Sequence, residues 1–480
     1  MLFTEPAFLF LFLPIVLAVY SVLRGHESRN VWLLLASIAF YATGGGQFLA
    51  PMLASIVLNY LFAVAVARAQ ATSPRLASAV LIATVGANLA VLAWFKYASF
   101  LVGNANGIAH LFGAPGWAVP DVALPIGISF FTFHAISYVV DVYRGAAIAQ
   151  KNPVHAALYL LLFPQLIAGP IIRYREIADQ LAARLVTMSG LAWGVRRFTV
   201  GLGKKILIAN VVAGPADRIF ALPLEQLEPG LAWLGLVCYT LQIYFDFSGY
   251  SDMAIGIAAM FGFRFPENFN HPYIARTVQE FWRRWHLSLS NWFRDYLYIP
   301  LGGNRVGPAR VYGNLLVVFF LCGLWHGASW NFVVWGLIHG AFLVVERAGF
   351  ASWMARRPRA IGHAYALAVA MFAWVFFRAE TLPQALGYLR ALAGGGSGRA
   401  PYTVGFFADR LVVVAIVAGI IGAGPWMAAA GRAALARSAD GDRTGMALRV
   451  AAVASIALLL ASSALFIAAN AYSPFIYFRF

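Results

Sequence analysis

Long apolar runs, separated by short polar or basic stretches, recur along the whole chain of 480 residues. They lie near 7–23, 31–43, 47–67, 78–101, 123–142, 155–172, 198–213, 230–249, 250–263, 311–325, 329–345, 361–377, 408–430 and 447–470. A helix that crosses a bilayer needs about 20 such residues. The pattern therefore predicts an all-α polytopic membrane protein with eleven or twelve spans. The runs at 155–172 and 250–263 are interrupted or flanked by Pro and Gly. Segments of that kind are tolerated at membrane depth when protein surrounds them, so they are expected as re-entrant or tilted half-helices. No internal repeat is visible, and the one glycine cluster, Gly394 to Gly398 around Ser397, has the length of a single loop. The expectation is one membrane domain over 1–480.

Composition supports lipid as the solvent. Hydrophobic residues make up 61% of the chain and charged residues 11%, against about 25% charged in an ordinary soluble domain. The formal net charge of +16 raises nucleic acid as a partner. The basic residues lie in short loops between apolar runs, however, as the positive-inside rule requires, and do not form one patch. Nucleic-acid binding is not expected. No Lys or Arg precedes the first run, while Arg24 and Arg29 follow it, which places the N-terminus on the outer side. The stretches 173–205, 264–310 and 347–359 then face the cytoplasm. Beyond Arg378 the alternation blurs at Arg390, Arg399 and Arg410. The N-terminus lacks a positive region ahead of its apolar run, so it reads as a retained first span. Cys238 and Cys322 both fall within apolar runs and have no CxxC spacing, so they are expected as buried thiols without metal or disulfide.

Residues 277–298, TVQEFWRRWHLSLSNWFRDYLY, break the pattern. Glu280, Arg283, Arg284, Arg294 and Asp295 are too many charges for a span. Phe281, Trp285, Leu289, Trp292 and Tyr296 recur at helical spacing, which predicts an amphipathic helix lying in the interface or at a cavity mouth. His286 sits on this segment. A second histidine, His326, lies within the aromatic, apolar stretch LCGLWHGASWNFVVWGLIHG at 321–340, beside Gly323, Gly327 and Ala328, which permit close backbone approach. Ionisable residues inside membrane segments are costly and are functional candidates by default. A buried neutral imidazole suits a general base, able to take a proton from a hydroxyl as that oxygen attacks an acyl carbon. His339, one span further on, reads as structural. No GxSxG, HExxH or P-loop pattern is present. Asp246, Ser248, Tyr250 and Asp252 form a further polar group, and the Ser-Gly-Tyr between the carboxylates is expected to break the helix. The two Asp residues then order the histidines, bind substrate hydroxyls or cap the broken ends, and the last two roles together are the favoured reading.

These residues carry a resemblance. LPIGISFFTFHAISYVVDVYRG at 124–145, FPQLIAGPIIRYREI at 163–177, LQIYFDFSGYSDMAIG at 241–256 and FPENFNHPY at 265–273 are similar to the membrane-bound O-acyltransferase family. So are FWRRWHLSLSNWFRDYLYIPLGGNR at 281–305, LWHGASWNFVVWGLIHG at 324–340 and the closing YSPFIYFRF. Within the family the chain most resembles the bacterial branch that O-acetylates polysaccharides such as alginate. The one small departure is His134, where relatives often carry glutamine.

The resemblance implies a helical bundle, with re-entrant or interfacial helices, around a central tunnel in a bacterial inner membrane. It implies that His326 is the catalytic base and that His286 acts near it, orienting the donor or, if it donates a hydrogen bond, stabilising the oxyanion. Trp325, Asn331, Arg305, Arg283, Arg284, Trp285, Asp246 and Tyr250 are carried along as substrate- or donor-binding candidates. The implied donor is a cytoplasmic thioester, acetyl-CoA, drawn to the arginines through its phosphates. The implied acceptor is an exported polysaccharide, reached through a periplasmic acetyltransferase partner. No bound cofactor or metal is expected. The alternatives are D-alanyl or other acyl transfer to a cell-wall polymer and, from other classes, a transporter or flippase, which intramembrane Asp246 and Asp252 suggest, or a scaffolding partner.

Overall fold

The computed structural model describes residues 1–396, 401–437 and 443–469. Ser397, Gly398 and the closing YSPFIYFRF lie outside the described residues. Of the described residues 78% are helical, and none lies in a strand. This is the expected all-α class, and its cause is that lipid offers no partner for a backbone N–H or C=O, so each helix must satisfy its own.

The described residues fall into two compact units. The first comprises Met1–Val195 with Ala254–Pro266. It holds helices α1 (His26–Gly45), α2 (Leu49–Thr72) and α3 (Pro74–Leu111). The first two form one helical stretch bent at Gly45, whose φ of −134° and ψ of 28° leave the helical region. At about 1.5 Å per residue, 20 and 24 residues each suffice to cross the hydrocarbon. The core of this unit is aromatic, with Phe3, Phe8, Phe12, Phe40 and Phe163 linked by ring contacts. One buried cation, Arg184, is held by Asn30 Oδ1 at 2.7 Å and by the Phe261 carbonyl at 3.1 Å. The run at 155–172 is broken as expected, into helices Pro153–Leu161 and Phe163–Leu166 followed by irregular backbone, and it is almost wholly buried.

The second unit comprises Arg196–Met253 with Glu267–Phe480. Two helices contribute residues to both units: α4 (Met188–Gly203) and α5 (Pro229–Met260). Helix α5 corrects the expected break at Ser248–Tyr250. It runs unbroken for 32 residues, and 78% of its apolar window is buried in protein. The glycine in that tripeptide serves helix crossing instead. A Cβ on Gly249 would stand 2.7 Å from the Gly201 carbonyl oxygen, and a Cβ on Gly201 would stand 2.5 Å from the Gly249 carbonyl oxygen. Only two glycines permit so close a crossing.

The segment at 277–298 is also not the single amphipathic helix expected. It is split into α6 (Val278–Trp282) and α7 (Leu287–Phe293), with a wider-turned stretch Arg294–Tyr298 after it. The break falls at His286. Phe281, Trp285, Leu289 and Trp292 are nonetheless all buried and Tyr296 is half-buried, so the stripe marks a largely buried face made of two pieces.

Helices α8 (Pro308–His326) and α9 (Trp330–Val345) form a tight hairpin. A Cβ on Gly323 would meet the Phe332 carbonyl oxygen at 2.3 Å, and one on Gly336 would meet the Phe319 carbonyl oxygen at 2.2 Å. Gly323, three residues before His326, thus serves helix–helix approach. Helix α10 (Arg359–Arg378) packs on α9, and α11 (Arg410–Ala423) and α12 (Arg443–Ala469) follow. Only 6% of the apolar window of α12 is buried in protein, so nearly all of it is left for lipid. Cys238 and Cys322 are buried free thiols.

By length and composition, seven helical stretches among the described residues can cross a membrane, or eight if the bent pair Arg410–Ala423 and Trp426–Ala434 is one span. The first of the seven contains both α1 and α2. The difference from eleven or twelve has local causes. The runs near 7–23 and 123–142 form the shorter apolar helices Phe8–Val22 and Ile128–Tyr143, 155–172 is broken, and 230–249 and 250–263 fuse into α5. The chain is a multi-pass membrane protein.

Candidate active site

Two loop segments build the site around His286. The Asn270 N–H donates to the Arg284 carbonyl at 2.9 Å, and the Leu287 N–H donates to the Asn268 carbonyl at 2.9 Å. These bonds pin residues 268–270 along the turn that joins α6 to α7. Helix α6 is capped by Thr277, whose hydroxyl accepts from the Glu280 N–H at 2.9 Å. Buried Glu346 accepts the next two orphan donors, Val278 N–H at 2.5 Å and Gln279 N–H at 2.9 Å. The turn then forces His286 into the left-handed region, with φ 44° and ψ 55°. Among the described residues only His271 shares this with it outside glycine. Such strain costs on the order of 1 kcal/mol or more and persists where the surroundings over-determine it.

The His286 imidazole is fully buried. Its Nδ1 lies 3.0 Å from Asn268 Oδ1. Its ring meets Phe247 edge-on at 4.6 Å and lies tilted against Trp325 at 6.2 Å. Burial alone pushes this imidazole down to about 3, so the neutral form is the resident one. Among the described residues no hydrogen-bond partner stands at Nε2.

His326 is the last residue of α8, and only 2% of it is exposed. Its ring packs against Trp325 at 4.8 Å, Trp335 at 4.9 Å and Phe377 at 5.1 Å. Trp325 therefore touches both imidazoles, and the two histidines singled out by sequence are brought to one aromatic cluster. Trp285 belongs to its wall, against Phe269 at 5.1 Å and Trp374 at 4.9 Å. His339 lies stacked on Phe281 at 6.0 Å and beside Trp335 at 5.1 Å.

Other candidates are engaged elsewhere. Asn331 donates through Nδ2 to the Ala379 carbonyl at 2.6 Å, tying the start of α9 to the end of α10. Arg284 is held by Glu280 at 2.9 Å and donates to the Asn270 carbonyl at 3.1 Å. Arg283 and Arg305 are exposed, whereas the histidines are buried. Tyr250 is buried within α5. Asp246 pairs with Lys205 at 2.5 Å, and Asp252 pairs with Arg197 and Lys204, each at 2.7 Å. The two carboxylates thus cap no broken helix end; the Gly201–Gly249 crossing carries the basic residues of the 196–209 stretch onto them. No cluster of three or more His, Cys, Asp and Glu fit for a metal ion stands among the described residues.

Sequence reasoning missed Asn268 and Ser288. Asn268 Oδ1 accepts from the Ser288 hydroxyl at 2.9 Å and the Ser288 N–H at 3.2 Å, and its Nδ2 donates to Ser251 Oγ at 3.0 Å. Nothing local marks this role, since it depends on where a loop 18 residues away returns.

Comparison with known proteins gives the family. Residues 131–382 match the membrane-bound O-acyltransferase family. The chain is 42% identical over 491 residues to a Pseudomonas putida protein described as "Probable alginate O-acetylase AlgI", covering 100% of both. It is 42% identical to the protein of the same description from Azotobacter vinelandii, again over 100% of both. To the peptidoglycan O-acetyltransferase of Helicobacter pylori it is 37% identical, covering 82% of this chain and 80% of that one. With membrane-length helices, the family match over residues 131–382 and full-length similarity to proteins described as probable alginate O-acetylases, the chain is an O-acyltransferase and belongs to the membrane-bound O-acyltransferase family.

Proposed function

We propose that this protein moves an acetyl group from cytoplasmic acetyl-CoA across the membrane to an acceptor hydroxyl, for O-acetylation of an exported polysaccharide such as alginate, with His326 as the general base. The observation that carries the reading is His326 itself, a buried imidazole at the end of a membrane helix, ringed by Trp325, Trp335 and Phe377. The acceptor oxygen attacks the thioester carbonyl carbon while His326 takes its proton. The C–S bond breaks, and the proton passes to the leaving thiolate, giving an ester and free coenzyme A. His286, across Trp325, orients the donor. Exposed Arg283 and Arg305 attract the donor's phosphates. The whole chain acts as one domain in the bacterial inner membrane, and a periplasmic acetyltransferase receives the acetyl group before the polysaccharide does. The relatives named for alginate and peptidoglycan acetylation support an acetyl donor and a polysaccharide acceptor.

The test uses membranes containing the wild-type protein or His326→Ala, supplied with radiolabelled acetyl-CoA, the cells' periplasmic fraction and their own polysaccharide. Loss of a general base lowers the rate by about 100- to 10,000-fold, and labelling of polysaccharide should fall accordingly. Equal labelling by the variant would remove His326 from the chemistry. Transfer from a D-alanyl carrier protein, with none from acetyl-CoA, would replace the acetyl donor by a D-alanyl one.

A further inference from the structure

The hydrogen bonds around His286 fix which of its nitrogens carries the proton. A backbone N–H can only donate, so the Asn268 side-chain atom facing the Ser288 N–H at 3.2 Å must be the carbonyl oxygen. The opposite end of the amide, Nδ2, then donates to Ser251 Oγ at 3.0 Å. The orientation of this amide is thus set by its partners on both sides. The same oxygen stands 3.0 Å from His286 Nδ1, and an amide oxygen only accepts. The proton of the neutral ring must therefore sit on Nδ1, which leaves a bare lone pair on Nε2.

That second nitrogen is buried and has no hydrogen-bond partner among the described residues. The aromatic neighbours of the ring are Phe247, Phe269 and Trp325. An unmet acceptor in such a place is costly, and a donor of matching chemistry would relieve that cost. Asn268, Ser288 and Ser251 are themselves buried, so water does not compete for these bonds.

We propose that Asn268 is a positioning residue that holds His286 in the Nδ1–H tautomer, so that Nε2 accepts a hydrogen bond from a substrate O–H or N–H and does not serve as an oxyanion donor. The inference rests on the reading of His286 as part of the acyl-transfer site, and it narrows that reading. A neutral imidazole whose N–H is committed to Asn268 has none to offer a developing oxyanion. Stabilisation of that charge falls to other donors. The group that meets Nε2 is an amide N–H of the donor's pantetheine arm or an O–H of the acceptor other than the attacking one, whose proton goes to His326.

The tautomer is read directly by nitrogen NMR of the full chain in lipid bilayers, labelled with ¹⁵N-histidine, with the His286 signals assigned by their loss in His286→Gln. The wild-type protein at neutral pH should show a protonated Nδ1 and an unprotonated Nε2; a protonated Nε2 overturns the proposal whatever the enzyme's activity. In Asn268→Ala the preference should relax, with Nε2–H appearing and acetyl transfer falling at least 10-fold. An unchanged tautomer in a folded Asn268→Ala protein overturns the role of Asn268. If that variant does not fold, the wild-type spectrum with probes decides. Saturating coenzyme A, or an alginate oligosaccharide, should shift the Nε2 resonance while leaving it unprotonated. A shift from neither probe, or protonation of Nε2 on binding, overturns the acceptor role. The spectrum needs no turnover, so a correct tautomer with a fully active His286→Gln would instead remove His286 from the chemistry and leave the tautomer standing.

Discussion

Lys205 Nζ stands 2.5 Å from Asp246 Oδ1, and the two side chains are only 5% and 2% exposed. A pair this deeply buried is held less by net attraction than by the penalty of separating it. Removing one partner leaves an uncompensated charge, which costs about 3–5 kcal/mol, whereas replacing both by apolar residues of similar size is often neutral. Asp246→Ala should therefore sharply lower the thermal midpoint of the detergent-solubilised protein, and Lys205→Met with Asp246→Leu should restore most of it. A double variant as unstable as the single one would show that the pair has a role beyond mutual compensation.

The α8–α9 hairpin that ends at His326 depends on two glycines. A methyl group on Gly323 would stand 2.3 Å from a backbone carbonyl, and one on Gly336 would stand 2.2 Å from another. Backbone cannot step aside as a side chain can, so Gly323→Ala and Gly336→Ala should force the helices apart and abolish activity together with stability. Gly313, on the same α8, has nothing within 4 Å of its would-be Cβ. Gly313→Ala should be tolerated or stabilise by about 0.5–1 kcal/mol, by restricting the unfolded chain. Expression level and thermal midpoint of the three variants check this contrast.

Neighbouring arginines on the 277–298 segment should behave differently. Arg283 is exposed, while Arg284 bonds Glu280 at 2.9 Å and the Asn270 carbonyl at 3.1 Å. If the exposed arginines meet the donor's phosphates, Arg283→Ala and Arg305→Ala should raise KM for acetyl-CoA by about 2- to 10-fold, with kcat nearly unchanged. The effect should shrink as salt rises, because exposed charges are screened. Arg284→Ala should instead lower stability, because it frees the loop that supports His286. Steady-state kinetics at two ionic strengths separates the two kinds of arginine.

His286 also predicts a pH dependence of stability. Burial lowers its folded value to about 3, against about 6.5 in the unfolded chain. Below 6.5 the unfolded state binds a proton that the folded state refuses. The contribution is therefore fully present above about 6.5 and is lost as pH falls towards 3, at up to about 1.4 kcal/mol per pH unit. The thermal midpoint of the wild type should drop more steeply over this window than that of His286→Gln. Parallel curves would mean that water reaches this ring.

Much of the molecule was legible in the chain. The apolar runs fixed lipid as the solvent and helix as the only backbone answer, because both follow from composition and from local hydrogen bonding. His286 and His326 stood out because an imidazole among aromatic and apolar neighbours is chemically conspicuous wherever the chain goes. The stripe Phe281, Trp285, Leu289 and Trp292 correctly marked a buried face, although it wrongly implied one helix.

Tertiary structure decided what those residues meet. That Trp325 touches both imidazoles, 40 positions apart in the chain, follows from how α8 ends against the α6–α7 turn. That Gly249 continues a helix instead of breaking it follows from Gly201, which lies in another helix and lets the backbones close. The same crossing brings Lys205 to Asp246 and Lys204 to Asp252. Asn268 drew no notice as a letter in a loop, and the return of that loop made it the partner of His286. Periodicity and composition are local properties and can be read along the chain. A side chain's partner is set by where distant segments cross, and packing alone supplies that.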